Sequence, residues 1–433
     1  MNTDILIIGG GPSGVEAALT ASVYSNNVTL VSNESVGDWK SGYTNIFLEN
    51  IEEIKKKGSF SLEQFKTIYN DWVEQQKELL LNAGVQLVTG FASFVNEKSV
   101  KVIGHKDQEM IIHSNKIIIA TGSHPIFPDK IKPDGKYIFS YETIKNLEEI
   151  PSSIIVIGDS PIGYEMVNLF MQLGLSVTWL LPENQNPLLD KDIIEYMHSF
   201  YKDNGVQIVS GPWVDKVYSN NGSVKVIRED SKTFEADSVF VTLGFRPNLN
   251  SLKLENTNLE LNPYHSLDCN EYGQTLNESI YITGDALLPV SYTAIHGIAR
   301  ARVVALHAAG KKTDPIDIHT LPLCFNENPQ IGAVGQFNTV GKDINFKKIP
   351  YQTRHFKAFM TNKREGFLKI VWDRDGIIVG ASCVGHQAKE VIATIALIIK
   401  LNVSINQAAS FVSVHPSASE LPFIALQNYI KSI

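Results

Sequence analysis

Gly9, Gly11 and Gly14 stand at the G-x-G-x-x-G spacing directly after a short apolar run at residues 5–8. Between a strand and a helix, that spacing suits a dinucleotide pyrophosphate. The first glycine permits a tight turn, the second lets the backbone approach phosphate, and the third lets helix pack close to strand. The helix N-terminus then turns its positive dipole end toward the phosphates. At the end of the next strand, residues 28–31, the residue expected to bind the adenosine ribose is Ser32, with Glu34 close behind. A serine hydroxyl binds a ribose hydroxyl less strongly than a carboxylate does. Glu34 reads either as its substitute or as an exposed loop acid. A second unit carries Gly158, Ser160 and Gly163, so its middle glycine is replaced by serine. The strand after it ends in Leu181, where an NAD site favours an acid, and no arginine follows to take a 2′-phosphate. Asp285, in "YITGDA", is a carboxylate at the end of a buried strand, placed to accept hydrogen bonds from sugar-like hydroxyls.

These residues need strands and helices to hold them. Residues 4–33 read as strand, glycine turn, helix, strand, and residues 152–183 repeat that order. Short buried strands running into glycine turns recur at residues 116–125, 238–248 and 279–288. The expected fold class is α/β: two Rossmann-like dinucleotide-binding domains, one inserted in the other, followed by a C-terminal α+β domain. The expected boundaries are 1–148 with 245–318 for the first fold, 149–244 for the inserted fold and 319–433 for the tail. In the tail, residues 365–385 read as two strands joined by an Asp-Gly turn. The 433 residues are 43% hydrophobic and 19% charged, which suits a folded chain of two or three domains. The formal net charge of −8 argues against general nucleic-acid binding. The start "MNTDILIIGGG" lacks the basic opening of a secretory signal. The apolar run at residues 391–401 is too short for a transmembrane segment and reads as a buried helix. Cys269, Cys324 and Cys383 show no metal or disulfide spacing, so a reduced cytoplasmic protein is expected.

The segments "GGGPSGVEAA", "GFASF", "ATGSHP", "VIGDSPIGYE", "TLGFRPN", "YITGDA", "ENPQIGAVG" and "VHPSASELP" follow in order along nearly the whole chain. Together they resemble the pyridine nucleotide-disulfide oxidoreductase family, which includes dihydrolipoyl dehydrogenase, glutathione and mercuric reductases and soluble transhydrogenase. The resemblance implies FAD in the first fold, NAD(P)H in the inserted fold, and a C-terminal dimerisation domain that makes a homodimer. It implies that Gly9, Gly11 and Gly14 cradle the FAD pyrophosphate, that Ala92 meets the adenine region, and that Thr121 and Gly122 line the FAD cleft. Gly284 and Asp285 would hold the ribitol, and Ala294 would lie by the flavin pyrimidine edge. Gly158, Ser160, Gly163 and Gly244 would line the nicotinamide nucleotide cleft. His415 and Glu420 match a His–Glu pair that acts across the family's dimer. A base of that kind needs a carboxylate to raise its basicity and fix its tautomer. The plainer reading of His415 is a helix-capping or core histidine.

One stretch departs from the family. Its pattern there is G-G-x-C-x-x-x-x-C-x-x-x-K, whereas this chain has "SNESVGDWKSGYTNIF". Aligning Gly37 to the glycine puts Trp39 in the first cysteine place and, after a one-residue deletion, Tyr43 in the second. Without a thiolate, dithiol–disulfide exchange is excluded at this site. The family's lysine falls at Ile46, while its carboxylate partner is present as Glu165. Either Lys40 replaces the lysine, or Glu165 is protonated or solvated. Pro161 stands where the family keeps an aromatic gate. The leading expectation is an FAD enzyme that passes electrons from NAD(P)H to a non-disulfide small-molecule acceptor, such as a quinone or another pyridine nucleotide. Trp39 and Tyr43 then form an aromatic wall for a flat acceptor, or merely fill the vacated volume. One alternative is a flavin-binding partner or sensor that has lost catalysis. Another is a lipoamide-type reductase using the cysteines elsewhere.

Overall fold

Several strands of this chain are buried at consecutive positions rather than at every second one, as expected of strands covered on both faces of a parallel sheet. Strands Ser238–Val241 and Ile280–Ile282 are buried throughout, and so are the last four residues of Asn2–Ile8 and of Ser153–Ile157. The computed structural model describes residues 1–37, 62–147, 150–183, 189–220, 222–287, 293–325, 328–338 and 344–431. They fall into two compact units, and each contains a parallel sheet.

The first unit comprises residues 1–37, 62–126 and 244–316, as far as described. Its parallel strands lie in the order Gln86–Thr89, Val28–Ser32, Asn2–Ile8, Glu109–Ile119, Ile280–Ile282. Strands Phe91–Asn96 and Ser99–Ile103 extend the sheet as an antiparallel meander onto Glu109–Ile119. Side chains alternate between the faces, as the pleat requires. Ile5 and Ile7 enter one apolar cluster, and Leu6 and Ile8 enter the other. Helices Pro12–Ser22 and Ala294–Ala308 share the first of these clusters through small buried residues: Ala17, Ala18 and Ala21 from one, and Ala301, Ala305 and Ala308 from the other.

The second unit comprises the described residues of 127–243 and 317–431. Its parallel sheet runs Gln207–Gly211, Ser176–Pro182, Ser153–Ile157, Ser238–Val241, Ile138–Phe139. An antiparallel sheet follows in the order Leu323–Phe325, Gln330–Gly335, Ile378–Gly385, Phe367–Trp372, Asn345–Pro350. Helix Ala388–Lys400 buries Val391, Ile392 and Ile395 in its core. That helix accounts for the apolar run near the C-terminus, and no helix among the described residues is long and apolar enough to cross a membrane. Phe325, Ile331, Phe367 and Val384 from the antiparallel sheet share one core with Trp179, Tyr164 and Tyr201 around the parallel sheet. The same junction holds a buried ion network. Lys369 Nζ reaches Asp190 Oδ2 at 3.0 Å and Asp192 Oδ2 at 2.9 Å, and the Ser382 hydroxyl also donates to Asp190. Asp190 caps helix Lys191–Asp203 through the Asp192 N–H, so helix start and sheet are tied at one carboxylate. The α/β class with paired nucleotide-type folds and a C-terminal α+β domain is the one expected from the sequence.

Candidate functional site

In the first unit, the chain leaves strand Asn2–Ile8 through Gly9 at φ +116°, where an added Cβ would lie 2.2 Å from the Ala120 carbonyl oxygen. At Gly14 a Cβ would lie 1.9 Å from the Gly9 carbonyl oxygen, so helix and turn touch backbone to backbone. Gly11 is the N-cap of helix Pro12–Ser22 and offers no side-chain cap. The first-turn N–H groups are therefore left for an anion. Gly37 closes the loop from above: its N–H donates to the Gly10 carbonyl at 2.7 Å, and Trp72 Nε1 donates to the Gly37 carbonyl at 3.1 Å.

Ser32 is buried, and its hydroxyl accepts the Glu34 N–H at 3.3 Å. Glu34 itself is exposed. The Gly90 N–H donates to the Ser32 carbonyl at 2.9 Å, which brings the strand carrying Ala92 beside the end of strand Val28–Ser32. Asp285 lies in the turn Gly284–Leu287, and the Ser123 hydroxyl donates to its Oδ2 at 3.1 Å. Gly122, at φ +69°, faces open space. Its carbonyl accepts the Asn248 N–H at 2.9 Å, and Asn248 Nδ2 donates to the Thr121 carbonyl at 3.1 Å. The Thr121 and Thr283 hydroxyls are buried, with no hydrogen-bond partner among the described residues. Ala294 begins helix Ala294–Ala308, capped by Thr293. The first unit thus brings Gly9, Gly11, Gly14, Ser32, Gly37, Thr121, Gly122, Gly284, Asp285 and Ala294 into one fold whose open donors suit FAD.

The second unit repeats the turn with a different cap. Gly158, at φ +112°, would put a Cβ 2.2 Å from the Thr242 carbonyl oxygen, and a Cβ on Gly163 would lie 2.8 Å from the Gly158 carbonyl oxygen. Trp179 Nε1 donates to that same Gly158 carbonyl at 2.8 Å. Ser160 is the N-cap of helix Pro161–Gln172, accepts the Gly163 N–H at 3.2 Å, and hydrogen-bonds the Thr242 hydroxyl. Glu165 is partly buried on the same helix. Gly244 falls in the first unit, where its carbonyl accepts the Ile126 N–H at 2.9 Å.

His415 and Glu420 form a dyad, with Nδ1 to Oε2 at 2.8 Å. The Glu420 side chain is 8% exposed and the histidine 62%. Phe356 stacks on the His415 ring at 5.8 Å and 18°, and His355 Nε2 meets the Ser417 carbonyl at 3.0 Å. Phe356, Phe411, Val412 and Val414 are exposed apolar neighbours in structure or sequence. The three cysteines are free. Burial pushes the Cys324 thiol up to about 12 and Cys383 well above the ordinary range. Cys269 is raised by burial, against a smaller opposing pull from Arg300. Trp39, Lys40, Tyr43 and Ile46 lie outside the described residues. Sequence reasoning passed over Ser123, Thr242 and Phe356. Ser123 and Thr242 each border a quoted glycine turn, which was the only local signal, while nothing in sequence pairs Phe356 with His415.

Residues 3–309 match the pyridine nucleotide-disulphide oxidoreductase family, and residues 321–423 match its dimerisation domain. The chain is similar to dihydrolipoyl dehydrogenase of Bacillus subtilis, 28% identical over 459 residues with 98% of each chain covered. It is also similar to an NAD(P)H dehydrogenase (quinone) of Mycobacterium tuberculosis, 26% identical over 457 residues, covering 97% of this chain and 92% of the other. Among solved structures, LpdA from Mycobacterium tuberculosis superposes with a TM-score of 0.91 at 25% identity, with 99% of both chains covered. The HOCl-induced flavoprotein disulfide reductase RclA from Escherichia coli shares the fold, with a TM-score of 0.87 at 22% identity over 98% of this chain and 99% of that one.

Proposed function

The chain belongs to the pyridine nucleotide-disulphide oxidoreductase family, and from that premise we propose an FAD-dependent oxidoreductase that passes electrons from NAD(P)H to a non-disulfide acceptor. Members of the family bind FAD and use NAD(P)H. The observation that carries the reading is the state of the thiols. No cysteine precedes residue 269, and burial raises all three that exist. A dithiol relay needs a thiolate beside the flavin, and this chain has none to offer from its first 268 residues. The quinone acceptor in the name of the Mycobacterium tuberculosis relative supports a flat small molecule in that role.

Bound FAD supplies the two-electron chemistry. The chain's own residues hold and orient it: the uncapped Pro12–Ser22 helix toward phosphate, and Asp285, steadied by Ser123, toward ribityl hydroxyls. Reducing a quinone also consumes protons. His415, oriented by buried Glu420 and exposed on its other edge, is a fit donor. Its place within the dimerisation domain and its apolar neighbours support a homodimer in which a second copy covers it.

The self-capped loop of the inserted fold favours a second reading, a flavin-binding protein that has lost catalysis. Anaerobic mixing separates the two. The oxidoreductase bleaches with NADH or NADPH and recovers its colour on adding a quinone. A yellow protein that neither donor bleaches is the second kind.

A further inference from the structure

We infer that Ser160 plugs the phosphate loop of the inserted fold, so that nicotinamide dinucleotides bind there weakly and with little preference between NADH and NADPH. This rests on the oxidoreductase reading and adds what limits its donor. The comparison lies within the chain itself, because the two glycine turns superimpose by strand register. Ile8 pairs with Val31 and Ile157 with Leu180, while the Gly9 N–H meets the Val31 carbonyl and the Gly158 N–H meets the Leu180 carbonyl. Each position in one loop therefore has a defined counterpart in the other.

Both helices begin with proline, Pro12 and Pro161, and proline has no N–H. Each first turn is left with the next two N–H groups to offer: those of Ser13 and Gly14 in one, and of Ile162 and Gly163 in the other. Around the first helix the N-cap Gly11 has no side chain to take either, and no side chain among the described residues is seen to do so. In the second, the Gly163 N–H is already given to Ser160. The Thr242 hydroxyl bonds Ser160 and holds it in that position. Thr242 is itself buried and anchored by its N–H to the Ile157 carbonyl at 2.9 Å. The plug is thus braced by a residue 82 positions away in sequence, just past the end of strand Ser238–Val241.

One further feature acts in the same direction. The register places Leu181 where the first fold has Ser32, and Leu181 is 4% exposed within the apolar core. Leu181 itself offers no oxygen to a ribose hydroxyl and no guanidinium to a 2′-phosphate, and the next acid along the described chain is the exposed Glu183, the counterpart of Glu34. At Leu181 the adenosine half of either dinucleotide therefore finds neither a strong hold nor a basis for discrimination.

The test uses the FAD-loaded protein and calorimetric binding of ADP-ribose, which carries the pyrophosphate and no nicotinamide. Ser160→Gly frees the Gly163 N–H and removes the Cβ, and ADP-ribose binding is expected to tighten about tenfold or more. Ser160→Ala keeps the Cβ, frees the same N–H, and is expected to show part of that gain if the glycine variant folds poorly. Affinities of both variants within about twofold of wild type, or weaker, overturn the inference. A wild-type preference of more than about tenfold between NADH and NADPH also overturns it. Anaerobic bleaching keeps the two claims apart. Variants that bind ADP-ribose tightly yet stay unbleached by NADH sustain the plug and sink the oxidoreductase reading. Prompt bleaching with no gain in affinity does the reverse.

Discussion

Replacing Cys269, Cys324 and Cys383 together by alanine should leave flavin reduction and turnover with a quinone unchanged. The Cys324 thiol stands at about 12, raised from an ordinary 9.0 by burial. At neutral pH the reactive thiolate is then about one part in 10⁵ rather than one in 10², roughly a thousandfold suppression before access is considered. Cys383 is fully buried and its thiol is raised well above the ordinary range. Nor can these two form a disulfide. In the sheet register Cys324 pairs with Gly332, and Gly332 pairs with Cys383. Their Cα atoms are therefore two strand spacings apart, roughly 9–10 Å, beyond the limit of about 7 Å for a disulfide. The assay is an anaerobic reductive titration followed by flavin absorbance. The wild type and the cysteine-free variant should both take up about two electrons per flavin, with no long-wavelength thiolate-to-flavin band. Uptake of about four electrons by the wild type, falling to two in the variant, would refute the thiol argument.

Four other outcomes follow from the geometry. Gly14→Ala drives a Cβ to within 1.9 Å of the Gly9 carbonyl oxygen and should yield protein purified without flavin colour, read as flavin absorbance per chain. Lys369→Met strands the buried Asp190 carboxylate and should lower stability by about 3–5 kcal/mol in urea unfolding; a loss below about 1 kcal/mol would show that the pair contributes little. Asp192 is raised by burial, but the hydrogen bonds and charges of Lys348 and Lys369 outweigh this and hold its carboxyl below the ordinary 3.8. The stability it contributes is therefore complete above that value and is lost as pH falls through the lower folded value, and Asp192→Asn should flatten the acid limb of the unfolding profile. His415→Gln should leave donor-driven bleaching intact while lowering quinone turnover by about 10²-fold or more; unchanged turnover would remove His415 from proton delivery.

Much of this protein was legible in the order of its residues, because the telling features are local. A glycine turn between an apolar strand and a helix is a constraint on consecutive backbone units. Gly9, Gly14, Gly158 and Gly163 could therefore be assigned from sequence, and a Cβ at any of them meets backbone. The absence of a cysteine before residue 269 is likewise complete information in one dimension. The His415–Glu420 pair spans only five positions and survives in space as a 2.8 Å contact. What sequence could not decide was which hydroxyl, carboxylate or ammonium meets which. Ser123 steadies Asp285 from 162 positions away, Thr242 braces Ser160 from 82, and Lys369 finds Asp190 from 179. Such pairs depend on how sheets register and stack, and a residue type carries no record of its distant neighbour. Ser160 shows the division most clearly. Its identity marked a missing glycine, but only the folded chain, by setting it between the Gly163 amide and the Thr242 hydroxyl, gave it something to hold.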